Sequence, residues 1–591
     1  MVLMAEMNSL RNTKIFGWTI FSFNAIVGIL SVIYLTIQSS GVFGNVVGIF
    51  IISNLSITMI YSLWLSHQLR KTTKQGHRLN RLFYGYYVGI IVAVMFTFLA
   101  GFIGFNDVVL VNIGLGVLLY GANFGIVIYG GVLGLIPAIS KNYNFKSTSP
   151  IPEELVWNRS SKAQKRVCWL KGAIIIICTF GIVIGGLACY SMFFGLRGRF
   201  RFYMIKVFAG QAALFIGLVI LSFAFILIKI TLSISGKLKR IPMSSLVILG
   251  IVISGFCFVP LGLTPKFAQE ADEAFSASFN PVFSEDWKAV IENSGYADAF
   301  LQSPFSVGGY FLGPPTYDCI VKKDVVYLDG ASSNFTVDEN VTLYFDAYLP
   351  PNDSDSLPGN RSTLIRIHGG GLTIGDKGLG NILTMNRYFA AQGYCVFDIQ
   401  YGLNNGPESM GIPIITPSNV LGNFTLDDMM RHIGVFTFYL EDHNTEYGAN
   451  LDSVFISGGS SGGQLACATA LSIASGNYTE TFSANYTIKG IIPYYPANNV
   501  SMSFAQQSKP EWRNPELLVN NQSPPCLIYQ GDQDHLILRS RSLENTYLTQ
   551  GNAEVCLLIF PLAGHASDLY FPGYYNQVFL YYMERFMFLY H

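Results

Sequence analysis

Seven apolar stretches, each of roughly twenty residues or more, recur before residue 265 and constrain this chain more than any other feature. A bilayer core about 30 Å thick takes about 20 apolar residues in a helix, because a helix satisfies its own backbone N–H and C=O groups where no water can. The stretches lie near 15–37, 42–66, 83–105, 108–137, 172–195, 203–231 and 243–264. The first follows Arg11 and Lys14, is too long for the core of a signal peptide and lacks a small-residue cleavage site, so a retained anchor is expected. Composition agrees: charged residues make up 13% of the 591, against about 25% in an ordinary soluble chain. Lys plus Arg equals Asp plus Glu, and this balance gives no ground for a nucleic-acid partner.

The charges are unevenly placed. Arg70, Lys71, Lys74, Arg78 and Arg81 follow the second stretch, Lys141 to Lys171 carry the basic charge after the fourth, and Lys237, Lys239 and Arg240 follow the sixth. The positive-inside rule puts those loops and the N-terminus in the cytoplasm, and seven spans then carry the rest of the chain to the other side. Arg197, Arg199 and Arg201, between the fifth and sixth stretches, run against this pattern. A second signal points the same way. Asn-x-Ser/Thr sequons stand at Asn334, Asn340, Asn352, Asn360, Asn423, Asn477, Asn485, Asn499 and Asn521, as on a lumenal or extracellular surface.

Within the stretches, the interiors offer the amides Asn24, Asn54, Asn112, Asn123 and Gln211 but no obvious Asp or Glu of the kind ion-coupled transport needs. These amides are expected to bond between helices, and the glycines to let helices approach. Tyr84, Tyr86, Tyr87 and Trp157 are expected at the interface. Of nine cysteines, Cys178, Cys189 and Cys257 lie in spans, Cys168 in a loop, and Cys319, Cys395, Cys467, Cys526 and Cys556 in the C-terminal part. None forms a Cys-x-x-Cys or Cys/His metal spacing, so neither a metal nor a cofactor is expected. A disulfide through Cys319 is open, with no partner identified.

Beyond residue 264 the pattern changes. Residues 265–318 read as a juxtamembrane connector or cap, with Ala274–Phe279 and Phe305–Phe311 lying against the membrane or over an active site. Residues 319–591 alternate strand-like and helix-like runs: Ile320–Leu328, Val341–Tyr348, Thr363–Ile367, a helix near 381–392, then Tyr394–Ile399. Such alternation predicts a mostly parallel sheet with helices on both faces.

In that region an apolar strand runs into Gly458-Gly459-Ser460-Ser461-Gly462, and a helical pattern follows. This is G-x-S-x-G in the strand–turn–helix setting that throws a serine hydroxyl above a sheet, at the N-terminal end of a helix dipole. Ser461 fails the spacing to the flanking glycines. About 90 residues earlier the strand Leu364–Ile367 opens into His368-Gly369-Gly370-Gly371, whose glycines let backbone N–H groups converge on a substrate oxygen. The acid and base should follow in the order Ser, acid, His. The strand Pro525–Gln530 leads to Gly531-Asp532-Gln533-Asp534-His535, and Val555–Phe560 to Ala563-Gly564-His565. His565 is the best-placed base, and Asp534 is preferred to Asp532 as its partner.

From about 340 to 590 the chain resembles the hormone-sensitive-lipase-like esterases of the α/β-hydrolase superfamily. The resemblance rests on His368–Gly371, the elbow at 458–463, Asp346-Ala-Tyr-Leu-Pro350 and Tyr401 at a strand end. It implies an α/β-hydrolase domain and oxyanion donors at Gly370, Gly371 and Ser461. The chain departs from the family at Gly459, where Asp is frequent, at Leu372, where an aromatic is frequent, and at Gly402, where Arg is usual. The expected protein is a seven-helix transmembrane bundle (1–264) followed by an α/β-hydrolase (319–591) that cleaves hydrophobic or lipid acyl esters through an acyl-enzyme. Two alternatives stay open: acyl transfer on the same triad, or a receptor- or transporter-like membrane protein with a regulatory or inactive hydrolase domain. Beyond the ester substrate and the bilayer no partner is implied, and the oligomeric state is not specified.

Overall fold

The structure is a computed structural model that describes residues 2–37, 41–68, 74–103, 114, 116–139, 161–194, 200–232, 237–283, 285–313, 318–351, 357–378, 381–406 and 415–591. Outside these lie Arg70, Lys71, Arg197, Arg199, Asn112, Trp157, the sequon at Asn352, the start of the fourth expected span and most of the 141–171 loop. The chain divides into two compact units. One comprises Met1–Gly101, Leu110–Gly262 and Ser306–Pro314; the other comprises Phe102–Val109, Leu263–Phe305 and Pro315–His591.

The first unit is helical. Seven helices among the described residues are long and apolar enough to cross a bilayer: Arg11–Ile37, Val42–Ser66, Leu79–Gly101, Val117–Ile139, Cys168–Phe194, Ala213–Thr231 and Arg240–Phe283. They suggest a multi-pass membrane protein. Three depart from the expected outlines. The sixth is interrupted at Ala212, whose backbone (φ −98°, ψ 5°) separates Phe200–Gln211 from Ala213–Thr231. The fourth opens on a π-helical turn, Val117–Gly121. The seventh runs on through Val259–Phe283, where Pro265 and Pro281 are tolerated and the sequence turns polar.

Packing within this unit follows from small and amide side chains. A Cβ on Gly17 would lie 2.7 Å from Gly134 O, so helices Val2–Ile37 and Ala122–Ile139 meet backbone to backbone. Asn54 Nδ2 donates to Asn24 Oδ1 at 2.8 Å, and Asn24 Nδ2 to Thr58 Oγ1 at 3.3 Å, bonding buried amides across helices. Asn123 likewise donates to Thr97. A buried cation, Lys229, went unnoticed in the sequence. Its Nζ donates to Asn80 O at 3.3 Å and lies 4.4 Å from the ring centre of Tyr84. Tyr310 is buried in this unit and donates to Gln211 O, so the apolar tract around it packs among helices.

The second unit holds an eight-stranded sheet. Its strands are β1 (Ile320–Asp329), β2 (Thr342–Leu349), β3 (Ser362–Ile367), β4 (Cys395–Ile399), β7 (Asn450–Gly459), β8 (Ile488–Tyr494), β9 (Cys526–Gly531) and β10 (Val555–Phe560). The order is β1-β2-β4-β3-β7-β8-β9-β10; β5 (Leu403–Asn404) and β6 (Leu421–Gly422) form a separate pair. β1 and β2 join antiparallel at one edge, and β3 onward is parallel. Strands β3, β4 and β9 are buried throughout, as parallel strands covered on both faces must be. Alternate side chains divide between two cores. Ile365, Ile456 and Ile528 face one with helix Leu426–Tyr447, while Phe455, Tyr494 and Tyr529 meet Phe586 and Phe579 of helix Tyr574–Tyr590 on the other. The tract Ala274–Phe279 differs from its expected place. Phe275 and Phe279 are buried against Tyr582 and Phe586 of that last helix, and Ser278 donates to Val555 O, so it is part of this unit's core.

Candidate active site

β7 ends at Gly459, helix Ser461–Ser475 begins two residues later, and Ser460 sits between them at φ 58°, ψ −121°. That conformation costs a non-glycine residue energy and is held by its surroundings. Ser460 N donates to Tyr494 O at 2.9 Å, and Ser460 O accepts from Gln464 N and Ala497 N. The flanking glycines are obligatory: a Cβ at 458 would stand 2.4 Å from Gly462 O, and one at 462 would stand 2.2 Å from Ile367 O. Close packing of β3 against the turn therefore dictates the G-x-S-x-G spacing.

Ser460 Oγ lies 3.0 Å from His565 Nε2, and His565 Nδ1 lies 2.8 Å from Asp534 Oδ2. The carboxylate can only accept, so His565 carries its proton on Nδ1 and offers the Nε2 lone pair to the serine hydroxyl. Asp534 is buried at the end of β9, and its Oδ1 accepts from Leu536 N at 3.0 Å and from His535 Nδ1 at 3.0 Å. Burial alone would raise its pKa; the adjacent His565 and the hydrogen bonds from His535, His565 and Leu536 outweigh it and hold the carboxyl well below its ordinary range. The three expected residues, 105 and 31 positions apart in pairs, are thus brought into one hydrogen-bonded line.

The glycine loop lies alongside. A Cβ on Gly369 would come 2.5 Å from Gly459 O and 3.3 Å from Ser460 Cβ. Gly370 (φ 128°) and Gly371 (φ 63°) take conformations open to glycine, and a Cβ at 370 would overlap Ile374 O. His368 is buried and stacks on Tyr401, ring centres 4.5 Å apart; its Nδ1 donates to Gly369 O, and Tyr401 Oη donates to His368 O. Burial pushes the His368 pKa down. Ser461, also buried, accepts from Leu372 N through Oγ, so its hydroxyl is committed to the loop; its own N–H opens the helix, where no intrahelical acceptor exists.

Two of the three departures from the family pattern have steric reasons; nothing in the structure explains the third, Leu372. Any Cβ at Gly402 would lie 2.6 Å from both His432 and Phe424. A Cβ at Gly459 would press on Tyr495 Oη at 3.1 Å, so a larger side chain there needs Tyr495 to give way. Leu372 is buried at φ 62°. Tyr495 itself was missed in the sequence: it follows β8, adopts φ 37°, packs 4.5 Å from the His565 ring and donates to Asp568 Oδ1 at 2.6 Å. Its only sequence signal is a tyrosine at a strand end beside the elbow strand.

An open, mostly parallel sheet, a serine on a strand–helix turn and a glycine loop beside it define the α/β-hydrolase class of fold. Residues 345–516 match the family model described as BD-FAE. The chain is 25% identical over 329 residues to Esterase LipQ of Mycobacterium tuberculosis, covering 51% of this chain and 71% of that protein. Among solved structures it is similar to Thermogutta terrifontis esterase 2 phosphorylated by paraoxon (22% identity, 43% of this chain and 85% of that one, TM-score 0.32). It is also similar to a phosphonate-inhibited esterase B from Lactobacillus rhamnosis (20% identity, 50% and 89%, TM-score 0.34). The family match and the relative support a hormone-sensitive-lipase-like α/β-hydrolase esterase in the C-terminal part of the chain.

Proposed function

We propose that this protein is a membrane-bound serine hydrolase that cleaves carboxylic esters of hydrophobic or lipid acyl groups, with Ser460 as nucleophile, His565 as base and Asp534 as the acid that orients it. The observation that carries this reading is the continuous line from Ser460 Oγ to His565 Nε2 (3.0 Å) and from His565 Nδ1 to Asp534 (2.8 Å). In the first step Ser460 Oγ attacks the ester carbonyl carbon as its proton passes to His565 Nε2. Asp534 holds the tautomer and stabilises the imidazolium. The carbonyl oxygen takes the electron pair and is met by N–H groups of Gly370, Gly371 and Ser461 at the positive end of the helix. Collapse expels the alcohol, which leaves with the proton from His565, and water hydrolyses the acyl-serine by the same proton path.

The preference for long acyl chains rests on the seven apolar helices, which would keep the enzyme beside lipid. The domain limits 1–264, 265–318 and 319–591 belong to the same reading, with the hydrolase on the lumenal or extracellular side. All eight described sequon asparagines (334, 340, 360, 423, 477, 485, 499 and 521) are exposed, which supports a glycosylated surface.

The test is hydrolysis of p-nitrophenyl esters of increasing chain length by the detergent-solubilised full chain. A pre-steady-state burst and a kcat/KM that rises with chain length are expected; no turnover of any ester by folded protein would overturn the reading. A competing alcohol that captured most of the acyl group would move the assignment to acyl transfer. Expression in eukaryotic cells should give a glycosidase-sensitive mass shift, and its absence would overturn the lumenal placement.

A further inference from the structure

His535 carries no proton in the ester chemistry above, yet its Nδ1 and that of His565 address the two oxygens of one carboxylate, at 3.0 and 2.8 Å. The ligand atoms of Asp534, His535 and His565 all lie within 4.8 Å of one another. Two loops supply them, after β9 and after β10, so no Cys/His spacing announces the cluster in the sequence. We propose that it is a reversible inhibitory site for a borderline divalent cation of the Zn²⁺ class.

Two imidazole nitrogens and a carboxylate oxygen are the ligand set such an ion takes, leaving its fourth position to water; Mg²⁺ and Ca²⁺ want oxygen donors only. Zn–N and Zn–O bonds of about 2.0–2.2 Å in a tetrahedral site set ligand atoms roughly 3.4 Å apart, so the N···O separations of 3.0 and 2.8 Å must open a little while the nitrogens, within 4.8 Å of each other, close in. His535 can move to do so. Its side chain is 59% exposed, whereas those of Asp534 and His565 are 0% and 12% exposed, so it is also the side from which an ion would enter.

The consequence for the base is a change of tautomer. In the hydrogen-bonded line His565 holds its proton on Nδ1 and presents a lone pair at Nε2 to Ser460. A cation can bind Nδ1 only through a lone pair there, so the Nδ1 proton is displaced and the neutral ring carries it on Nε2 instead. No proton need be gained or lost, but Nε2 becomes a donor and can no longer accept from Ser460 Oγ. The ion thus switches the serine off without touching it.

The inhibitory part rests on the proposed esterase reading and the binding part does not, so the experiment has two arms. In the first, zinc is titrated calorimetrically into the full-length Ser460→Ala protein in detergent, which keeps all three ligands. One-to-one binding is expected, reduced in Ser460→Ala/His535→Asn by at least the ~10–100-fold that loss of even an outer-shell partner costs a metal site. In the second, ester hydrolysis is measured against zinc for the wild type and His535→Asn, each relative to its own metal-free rate. Zinc should inhibit the wild type, the half-inhibiting concentration should rise in the variant by the same factor, and Mg²⁺ and Ca²⁺ should be without effect. Equal zinc sensitivity of wild type and variant, or binding to Ser460→Ala that ignores residue 535, would overturn the site. Binding without any hydrolysis to inhibit would leave the site standing and overturn the esterase reading instead.

Discussion

Among the described residues, His565 and His432 lie in the same unit and each pairs with a buried aspartate, and of these two His565 is the one that faces a hydroxyl. His565 gives its Nδ1 proton to Asp534 and turns Nε2 to Ser460. His432 gives its Nε2 proton to Asp338 at 3.0 Å, and its Nδ1 accepts from Gly402 N at 3.1 Å. In the second pair both side chains are wholly buried, and Asp338 is also held by Arg431 and Ser333. Burial by itself raises the Asp338 pKa, and hydrogen bonds from His432, Arg431 and Ser333 overcome it, so the carboxyl stays well below its ordinary range; burial pushes His432 down. The same two residue types thus make a proton acceptor where a lone pair is left facing Ser460, and a tie between elements where a backbone amide has consumed it. Composition does not distinguish them; the partner of the second ring nitrogen does.

The comparison can be broken most forcefully at the base. His565→Gln should lower kcat/KM by about 10⁴–10⁶-fold, the cost of removing the base from a comparable triad, with the unfolding temperature little changed. Asp534→Asn, which inverts the tautomer preference of His565, should lower kcat by about 10⁴-fold in the same assay. The second pair should answer oppositely. Asp338→Ala leaves His432 and Arg431 without their buried acceptor, so urea unfolding should show a loss of about 3–5 kcal/mol, while turnover per folded molecule stays within a few-fold.

Acid sharpens the contrast further. The folded-state pKa of Asp338 lies below the unfolded value of about 3.9, so its contribution to stability is whole above that value and drains away as pH falls towards the folded one. Asp338→Asn should therefore flatten the acid limb of stability against pH. Asp398 has the opposite sign. It is buried opposite Asp346 in the β2–β4 ladder, and burial and that neighbour push it up to about 7. Its contribution is whole below about 3.9 and is lost as pH rises through about 7, so Asp398→Asn should lessen the decline in unfolding temperature over that window. The smallest effect is expected at Tyr495. Removing its hydroxyl as Tyr495→Phe deletes one hydrogen bond to Asp568, worth about 0.5–1.5 kcal/mol or slightly more for a charged acceptor, and should lower kcat by a few-fold at most.

Much of this was legible in the sequence because the deciding constraints are local. Gly458 and Gly462 are fixed by backbone atoms within a few ångströms, so the elbow carries its own signature. The strands leading to Ser460, Asp534 and His565 are short apolar runs closed by turn residues, and chain order supplied the rest. What the sequence concealed depends on distant residues. Nothing near Gly402 foretells that its Cβ would strike His432, thirty positions away, and Tyr495 acquires its place beside His565 only when β8 lies between β7 and β9. Lys229 was hidden by the apolar run around it, since its partners lie on another helix. Phe275 and Phe279 read in sequence as facing the membrane or covering an active site because their covering, the helix Tyr574–Tyr590, arrives at the far end of the chain.

The central claim, that Ser460 is the nucleophile of an active serine hydrolase, is tested most directly by labelling the full-length protein with a fluorophosphonate and mapping the modified peptide. The account predicts one label on Ser460, absent in Ser460→Ala and strongly reduced in His565→Gln. A folded wild type that takes no label, or a label on another residue that survives Ser460→Ala, would contradict it.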